Sequence, residues 1–402
     1  MKAWQRLKRN PLARLGAVIL LIFYGAIVGA EFLAPYDPYL SEPESALLPP
    51  TAIYWHDRQG QWTGPQIYPT RQGPLELDTG DRQLIVNWDQ PAPLRLLVPG
   101  EPYKFWGLIP LRWHLLGTAP PETSPPETSP PETSPPETSP PETSTPETSP
   151  PETSTPAAST PATAKWHLLG TDDQGRDQLS RLLYGGRISL TIGLVGIAVS
   201  FPLGMLVGGV AGYFGGWIDT LLMRLVEVLM TIPSLYLLVA LAAVLPPGLT
   251  SAQRFLLIVL ITSFVGWASL ARVIRGQVLA YKEQTYVQAA RAMGATPFHI
   301  ITRHLLPQTA TYIITSATLS VPSFIVAESV LSLIGLGIQQ PDPSWGNMLS
   351  VATNASIVVL QPWLIWPPAL LIIITVLAYN LLGDGLRDAL DPRSLERGDR
   401  PQ

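Results

Sequence analysis

The sequence has no cysteine among its 402 residues. That excludes a disulfide framework and any thiolate metal site. Charge is scarce as well: Asp, Glu, Lys and Arg make up 14% of the chain, where a soluble domain carries about 25%. No lysine follows a glycine, so the phosphate-cradling GxxxxGK[ST] loop is absent and any nucleotide-derived energy must come from another chain. No His, Ser or acid constellation has catalytic spacing, and His114 and His167 stand too isolated to suggest a metal. We therefore predict no catalytic, cofactor-binding or metal residues, and nothing points to nucleic acid.

What is present is apolar surface. The chain is 46% hydrophobic, with 32 Gly and 43 Pro. Its formal charge of −4 is smaller than the charge of the seven glutamates in one Pro-Glu-Thr-Ser repeat (Glu122, Glu127, Glu132, Glu137, Glu142, Glu147, Glu152), so the remainder is mildly basic. A membrane helix needs about 20 mostly apolar residues. Six stretches qualify, at about Leu12 to Leu33, Leu190 to Tyr213, Leu221 to Val244, Phe255 to Ile274, Tyr312 to Leu336 and Trp363 to Leu382. Val28 and Ala30 resemble a signal-peptide cleavage site, but the apolar run continues through Leu33, which favours an uncleaved anchor.

Basic residues in short loops set orientation. Lys2, Arg6, Lys8, Arg9 and Arg14 precede the first span, and Arg272, Arg275, Lys282, Arg291 and Arg303 lie between the fourth and fifth. The loop between the last two spans has none. Both termini are thus expected in the cytoplasm, with the long segment after span one outside. Arg176, Arg181 and Arg187 fall on that outer side, against the trend. Gly204, Gly208 and Gly212 form a small-xxx-small ridge for close helix packing. Pro202, Pro233, Pro322, Pro367 and Pro368 lie at membrane depth, where neighbouring groups must satisfy the freed backbone.

Between the first two spans, Leu84 to Val86, Leu94 to Val98 and Tyr103 to Trp106 read as short strands, punctuated by Asp78 to Asp81 and Pro99-Gly100. From Ala119 the sequence collapses to Pro, Glu, Thr and Ser, which has nothing to bury and predicts disorder. The words WHLLGT stand on either side of that repeat, at Trp113 and at Trp166, which favours a tolerated expansion between two copies of one junction over a glycosylated stalk or wall-spanning spacer. Thr171 to Gln174 has the form of a capping box, so a short interfacial helix is expected before span two.

The most informative stretch is TYVQAARAMGATPFHIITRHLLP, from Thr285 to Pro307. Thr285 and Gln288 have capping-box spacing, and Tyr286, Ala289, Ala290 and Met293 share one helical face. Gly294 can stop that helix, and Thr296 and Pro297 can start another, on which Phe298, Ile301 and Leu305 share a side. Two short helices meeting at a glycine elbow are expected. Two acids lie within spans, Glu227 and Glu328, where a charge costs about 2.5–3.5 kcal/mol and must face protein or water. They read either as translocation-path or gate groups or as hydrogen bonds tying helices together. Asn380 and Asp384, at the inner end of the last span, read as helix-end groups.

The Thr285 to Pro307 stretch resembles the EAA loop of permease subunits in ATP-binding-cassette importers. Ala289, Ala290, Gly294, Leu306 and Pro307 match that pattern, with Gln288 in place of the usual Glu and His304 at an apolar position. The segments from His167, Ala211 and Asn380, and FLAPYDP after span one, resemble the C-type permease of the dipeptide and oligopeptide branch. The resemblance implies an all-α, six-helix type I importer permease bundle of a bacterial inner membrane, with a β-rich extracytoplasmic insertion and a disordered repeat. It implies a coupling loop in which Gln288, Ala289, Ala290, Gly294, Pro297, Leu306 and Pro307 engage an ATPase. It implies as partners the lipid membrane, a second related permease in a heterodimer, two cytoplasmic ATPase subunits that use ATP and Mg, and an external solute-binding protein. The expected organisation is 1–39 cytoplasmic N-terminus and first span, 40–118 outer lobe, 119–165 repeat, 166–189 interfacial helix, 190–386 permease core with its coupling loop at 284–307, and 387–402 cytoplasmic tail. Peptides are the expected cargo. Nickel, opines or peptide-like antibiotics are alternatives, and a self-sufficient secondary transporter or channel, or a membrane-anchored sensor, would be a rival of another class.

Overall fold

A computed structural model describes residues 2–57, 59–75, 82–118, 165–246 and 248–390. The Asp78 to Asp81 turn, the Pro-Glu-Thr-Ser repeat from 119 to 164 and the tail beyond 390 lie outside the described residues. Helix α1 (Lys2–Arg9) leads into α2 (Pro11–Val28) and a single turn, α3 (Ala30–Leu33). Asn10 caps α2, its side-chain oxygen accepting from the Leu12 and Ala13 amides, and Pro11 fills the first turn, where no amide is needed.

The strands are β1 (Tyr54–His56), β2 (Trp62–Ile67), β3 (Thr70–Leu75), β4 (Arg82–Val86), β5 (Ala92–Phe105) and β6 (Ile109–Thr118). They form one antiparallel sheet in the order β1-β2-β5-β6 and a separate β3-β4 hairpin. Pro99-Gly100 does not separate two strands, as the sequence suggests. Both lie inside β5, where a register shift between Pro99 and Tyr103 accommodates a residue that cannot donate to the ladder.

The chain then returns to where the lobe began. The Thr51 amide donates to His167 O at 2.9 Å, the Leu47 amide to Asp172 O at 2.8 Å, and the Thr171 amide to Leu48 O at 2.9 Å. The Trp166 amide donates to the Tyr36 hydroxyl at 3.0 Å. Burial pushes that phenol above its ordinary range, outweighing the lowering effect of the Trp166 amide, and so keeps it protonated. The lobe therefore leaves and rejoins the scaffold at one point. The two WHLLGT copies adopt different structures there: Trp113 lies half-exposed on β6, whereas Trp166 is buried in an irregular segment.

The expected interfacial helix is not a separate element. Thr171 to Asp177 forms a closed loop rather than a capping box. Asp172 is occupied there by Arg176, whose Nε donates to Oδ2 at 2.8 Å, and Gly175 takes φ +74°. Asp177 caps instead, accepting from the Ser180 amide at 2.7 Å, and starts α4 (Gln178–Phe214). This helix runs 37 residues and carries Pro202 without interruption. The outlying arginines also find their reason here: Arg176 and Arg181 are buried against Asp172, and Arg187 pairs with Glu31.

Next come α5 (Gly216–Thr231) and α6 (Ser234–Ala243), the expected third span, which is broken by 87° at Ile232-Pro233. After them lie α7 (Ser251–Tyr281), α8 (Thr285–Ala292), α9 (Pro297–His299), α10 (Ala310–Leu333), α11 (Trp345–Met348), α12 (Ala355–Leu360) and α13 (Trp366–Leu390). Among the described residues, α2, α4, α7, the run from α9 to α10, and the last helix with its preceding turn are long and apolar enough to cross a membrane, and the bent α5–α6 pair makes a sixth candidate.

The most extensive helix contact joins α4 to α7. A Cβ on Gly204 would meet Leu270, one on Gly212 would meet Val278, and one on Gly208 would fall 2.4 Å from the Ala271 carbonyl oxygen. No side chain fits there, so the backbones touch. Elsewhere α2 packs on α13, with the Tyr24 and Tyr379 hydroxyls 2.7 Å apart. Gly208→Ala is expected to destabilise the detergent-solubilised protein by about 1–3 kcal/mol through overpacking. Gly276→Ala, where nothing lies within 4 Å, should leave the thermal melt nearly unchanged, and equal melts for the two variants would contradict the assigned contact.

Candidate functional site

Two features stand out from the fold: an elbow between α7 and α10, and a cavity at the broken span. The elbow opens with α8, whose N-cap is Gln284 rather than Thr285. Gln288 Nε2 reaches back to Lys282 O at 3.2 Å. The helix ends as the sequence predicts, on Gly294 at φ +83°. There the Gly294 amide donates to Arg291 O and the Ala295 amide to Ala290 O, the paired bonds of a Schellman motif. Thr296 then caps α9 by accepting from the His299 amide, with Pro297 in the first turn.

The second helix is not short. From α9 the chain passes through a π-type turn (Ile300–Leu305) and a tighter one (Leu306–Thr309) straight into α10, so Leu306 and Pro307 stand at the base of a span. The predicted apolar face of α8 also needs correction. Val287 is buried against Ile274, Val278, Ile300 and Leu305, and Ala290 is buried as well, whereas Tyr286, Ala289 and Met293 are exposed. Phe298 likewise turns outward while Ile301 and Leu305 turn in. Four apolar or aromatic groups thus cap the elbow, with Met293 83% exposed and Phe298 70% exposed. Counting Val287 among the apolar positions would have revealed this division.

The cavity, ≈ 440 Å³, lies where α4, the α5–α6 break, α7 and α10 meet. Ser200, Ser234, Thr262, Ser269, Ser320 and Ser323 contribute hydroxyls to a wall otherwise of apolar side chains, Pro233 among them. The Ser200 hydroxyl is buried and has no hydrogen-bond partner. These serines escaped the sequence reading because serine in a membrane helix is ordinary, and only the fold gathers them.

Neither of the two predicted path acids lines this cavity. Glu227 lies on an exposed face of α5, with Arg224 Nη1 3.1 Å from its Oε2. Glu328 is fully buried elsewhere, receiving hydrogen bonds from Ser332 (2.7 Å), Ser344 (2.8 Å) and, more weakly, Ser189 (3.4 Å). Those serines in turn accept from the Ile338, Asn347 and Trp345 amides. Glu328 therefore ties α4, α10 and α11 together, the second of the two roles open from sequence. Gln288, Ala289, Ala290, Gly294 and Pro297 are brought together on the elbow, and Gly204, Gly208 and Gly212 against α7. Among the described residues no group of His, Cys, Asp or Glu is placed to hold a metal.

A bundle of spans with a hydroxyl-lined cavity at a broken helix and an exposed apolar elbow has the architecture of a membrane permease subunit. Residues 201–396 match the binding-protein-dependent transport system inner membrane component family, and residues 1–50 match the N-terminal transmembrane domain of oligopeptide transport permease C. A dipeptide transport system permease protein of Bacillus subtilis is 44% identical over 56% of this chain and 69% of its own length. An oligopeptide transport system permease protein of Haemophilus influenzae is 39% identical over 57% of this chain and 71% of its own. A glutathione transport system permease protein of Pectobacterium atrosepticum is 41% identical over 56% and 73%. Among solved structures, an inward-facing MetNI methionine transporter overlaps 52% of this chain and 96% of that one, with a TM-score of 0.39 and 20% identity. The chain belongs to the binding-protein-dependent transport system inner membrane component family, and the strands lie between its two matched segments.

If Glu328 is a structural tie, Glu328→Leu strands several buried serine hydroxyls and should cost about 1–3 kcal/mol for each left unpaired. Glu328→Gln, which keeps an acceptor, should cost less. Detergent thermal melts decide this; a Leu variant as stable as the parent would contradict the role.

Proposed function

We propose that this chain forms one half of the translocation path of an ATP-driven peptide importer and receives force through the elbow. The carrying observation is the elbow itself, whose apolar knob of Tyr286, Ala289, Met293 and Phe298 stands exposed. Exposed apolar groups of this kind mark a partner's docking surface. Cytoplasmic ATPases, using ATP and Mg, dock there in this reading. A second, related permease completes the path in a heterodimer, an external solute-binding protein delivers cargo, and both termini lie in the cytoplasm.

The substrate class rests on two points. Relatives named for dipeptides, oligopeptides and glutathione share the matched region. The cavity wall also offers hydroxyls without ionisable groups, which suits amide-bearing cargo better than a nickel ion, whose usual imidazole and carboxylate ligands are missing there. Helix α7 links the two features: Thr262, Gly266 and Ser269 face the cavity, while Ile274 and Val278 pack on the elbow. Motion at the elbow would tilt α7 and alternate the cavity between the two sides of the membrane, a change that packed helices permit.

Two variants test the reading. Gly294→Val forces a β-branched residue into the left-handed region, although open space surrounds the site. It should abolish ATPase coupling while membrane insertion persists. Met293→Glu leaves the backbone alone and should weaken co-purification of the ATPase about tenfold or more, the equivalent of about 1.4 kcal/mol. Normal peptide uptake and ATPase retention in both variants would contradict the assignment.

A further inference from the structure

The hairpin joining β5 to β6 breaks the usual chemistry of turns. Tight hairpin turns favour Asn-Gly or Asp-Gly, because their central residues take positive φ. Here the tip reads Phe105-Trp106-Gly107-Leu108-Ile109-Pro110-Leu111, with no charged side chain. Trp106 takes φ 52°, a left-handed conformation that bulky residues rarely adopt. Such strain persists only where the side chain is held for a reason. Leu108 is 83% exposed, Trp106 59% and Ile109 56%, so the tip presents a contiguous apolar patch to its surroundings.

Its position identifies those surroundings. The Trp106 indole donates to Val28 O at 3.1 Å, and Val28 is the last residue of α2. Arg187 donates to the neighbouring Ile27 O at 2.8 Å, and its guanidinium lies 5.7 Å from the centre of the Trp106 ring. The 18 residues of α2 span about 27 Å at the helical rise, close to the roughly 30 Å hydrocarbon core. Val28 therefore stands at the edge of the hydrocarbon, and the tip stands beside it. Tryptophan and arginine at that level are what an interface selects, an amphipathic ring and a cation among headgroups. The patch also continues the exposed apolar face of α2, where Leu21 is 76% exposed and Ile22 59%.

We propose that the β5–β6 hairpin tip is a membrane wedge, inserted into the headgroup and upper acyl region beside α2, which fixes the height and tilt of the whole lobe. The occupant of the patch is lipid. This rests on α2 crossing the bilayer and is independent of what the permease carries. The wedge explains why a strained Trp stands where Asn would fold more easily: its indole satisfies a helix-end carbonyl that would otherwise meet the interface unpaired.

The absence of native cysteine makes the test direct. Nitroxide labels at Leu108→Cys and Ile109→Cys are compared with Leu21→Cys on α2 and Gln61→Cys on the lobe, in the full complex in lipid nanodiscs. The readout is the ratio of collision rates with oxygen, which concentrates in lipid, and with a water-soluble nickel chelate. The expected ratio at both tip positions exceeds Gln61 and falls below Leu21, which lies about 10 Å deeper along α2. A ratio equal to Gln61 would place the tip in water. Low rates with both reagents would place it against another protein, such as the partner permease. Either result overturns the proposal.

Discussion

Everything in the fold depends on the backbone contact between α4 and α7. Glycines at four-residue intervals on α4 remove the side chains that would hold these helices apart, leaving no room for a single methyl at Gly208. Contact this close is stiff, because any sliding meets repulsion at once. It also makes α7 a rod with work at both ends, bordering the cavity through Thr262 and Ser269 and seating the elbow through Ile274 and Val278. A loose helix pair would absorb a push at the elbow. In the proposed mechanism this pair transmits it.

The same stiffness clarifies the broken third span. Pro233 cannot donate to the preceding turn, and the chain turns by 87° there instead of crossing straight. The break opens the space that the surrounding serines line. Exposed backbone is tolerated at membrane depth only where it borders protein or a wet cavity, and the cavity supplies that setting. Glu328 and its serines tie α4, α10 and α11 together, a buried polar cluster in which each hydroxyl both gives and receives.

Much of this was readable in the sequence where the signal is local. Period-four glycines announce close packing, and Gly294 followed by Thr296-Pro297 announces a stop and a start, because caps and turns depend on a few adjacent residues. What failed were features set by distant partners. Thr171 to Gln174 looks like a cap, but Asp172 is claimed by Arg176 and the buried Arg181, so Asp177 takes the role. Glu328 reads as either gate or tie until serines far apart in the chain converge on it. The two WHLLGT copies make the point most plainly. One is a strand because β5 lies beside it, and the other is an irregular loop because Thr51 and Leu48 hydrogen-bond across it. These bonds bracket the two ends of the lobe.

The central claim is that force applied at the elbow changes access to the cavity through α7. It is tested by the reactivity of a single cysteine at Ser269→Cys, in proteoliposomes holding the complete transporter. The account predicts that ATP changes the rate of modification by a water-soluble thiol reagent, and that Met293→Glu at the elbow removes this change. A rate indifferent to ATP in the parent, or an ATP response that survives the elbow variant, would contradict it.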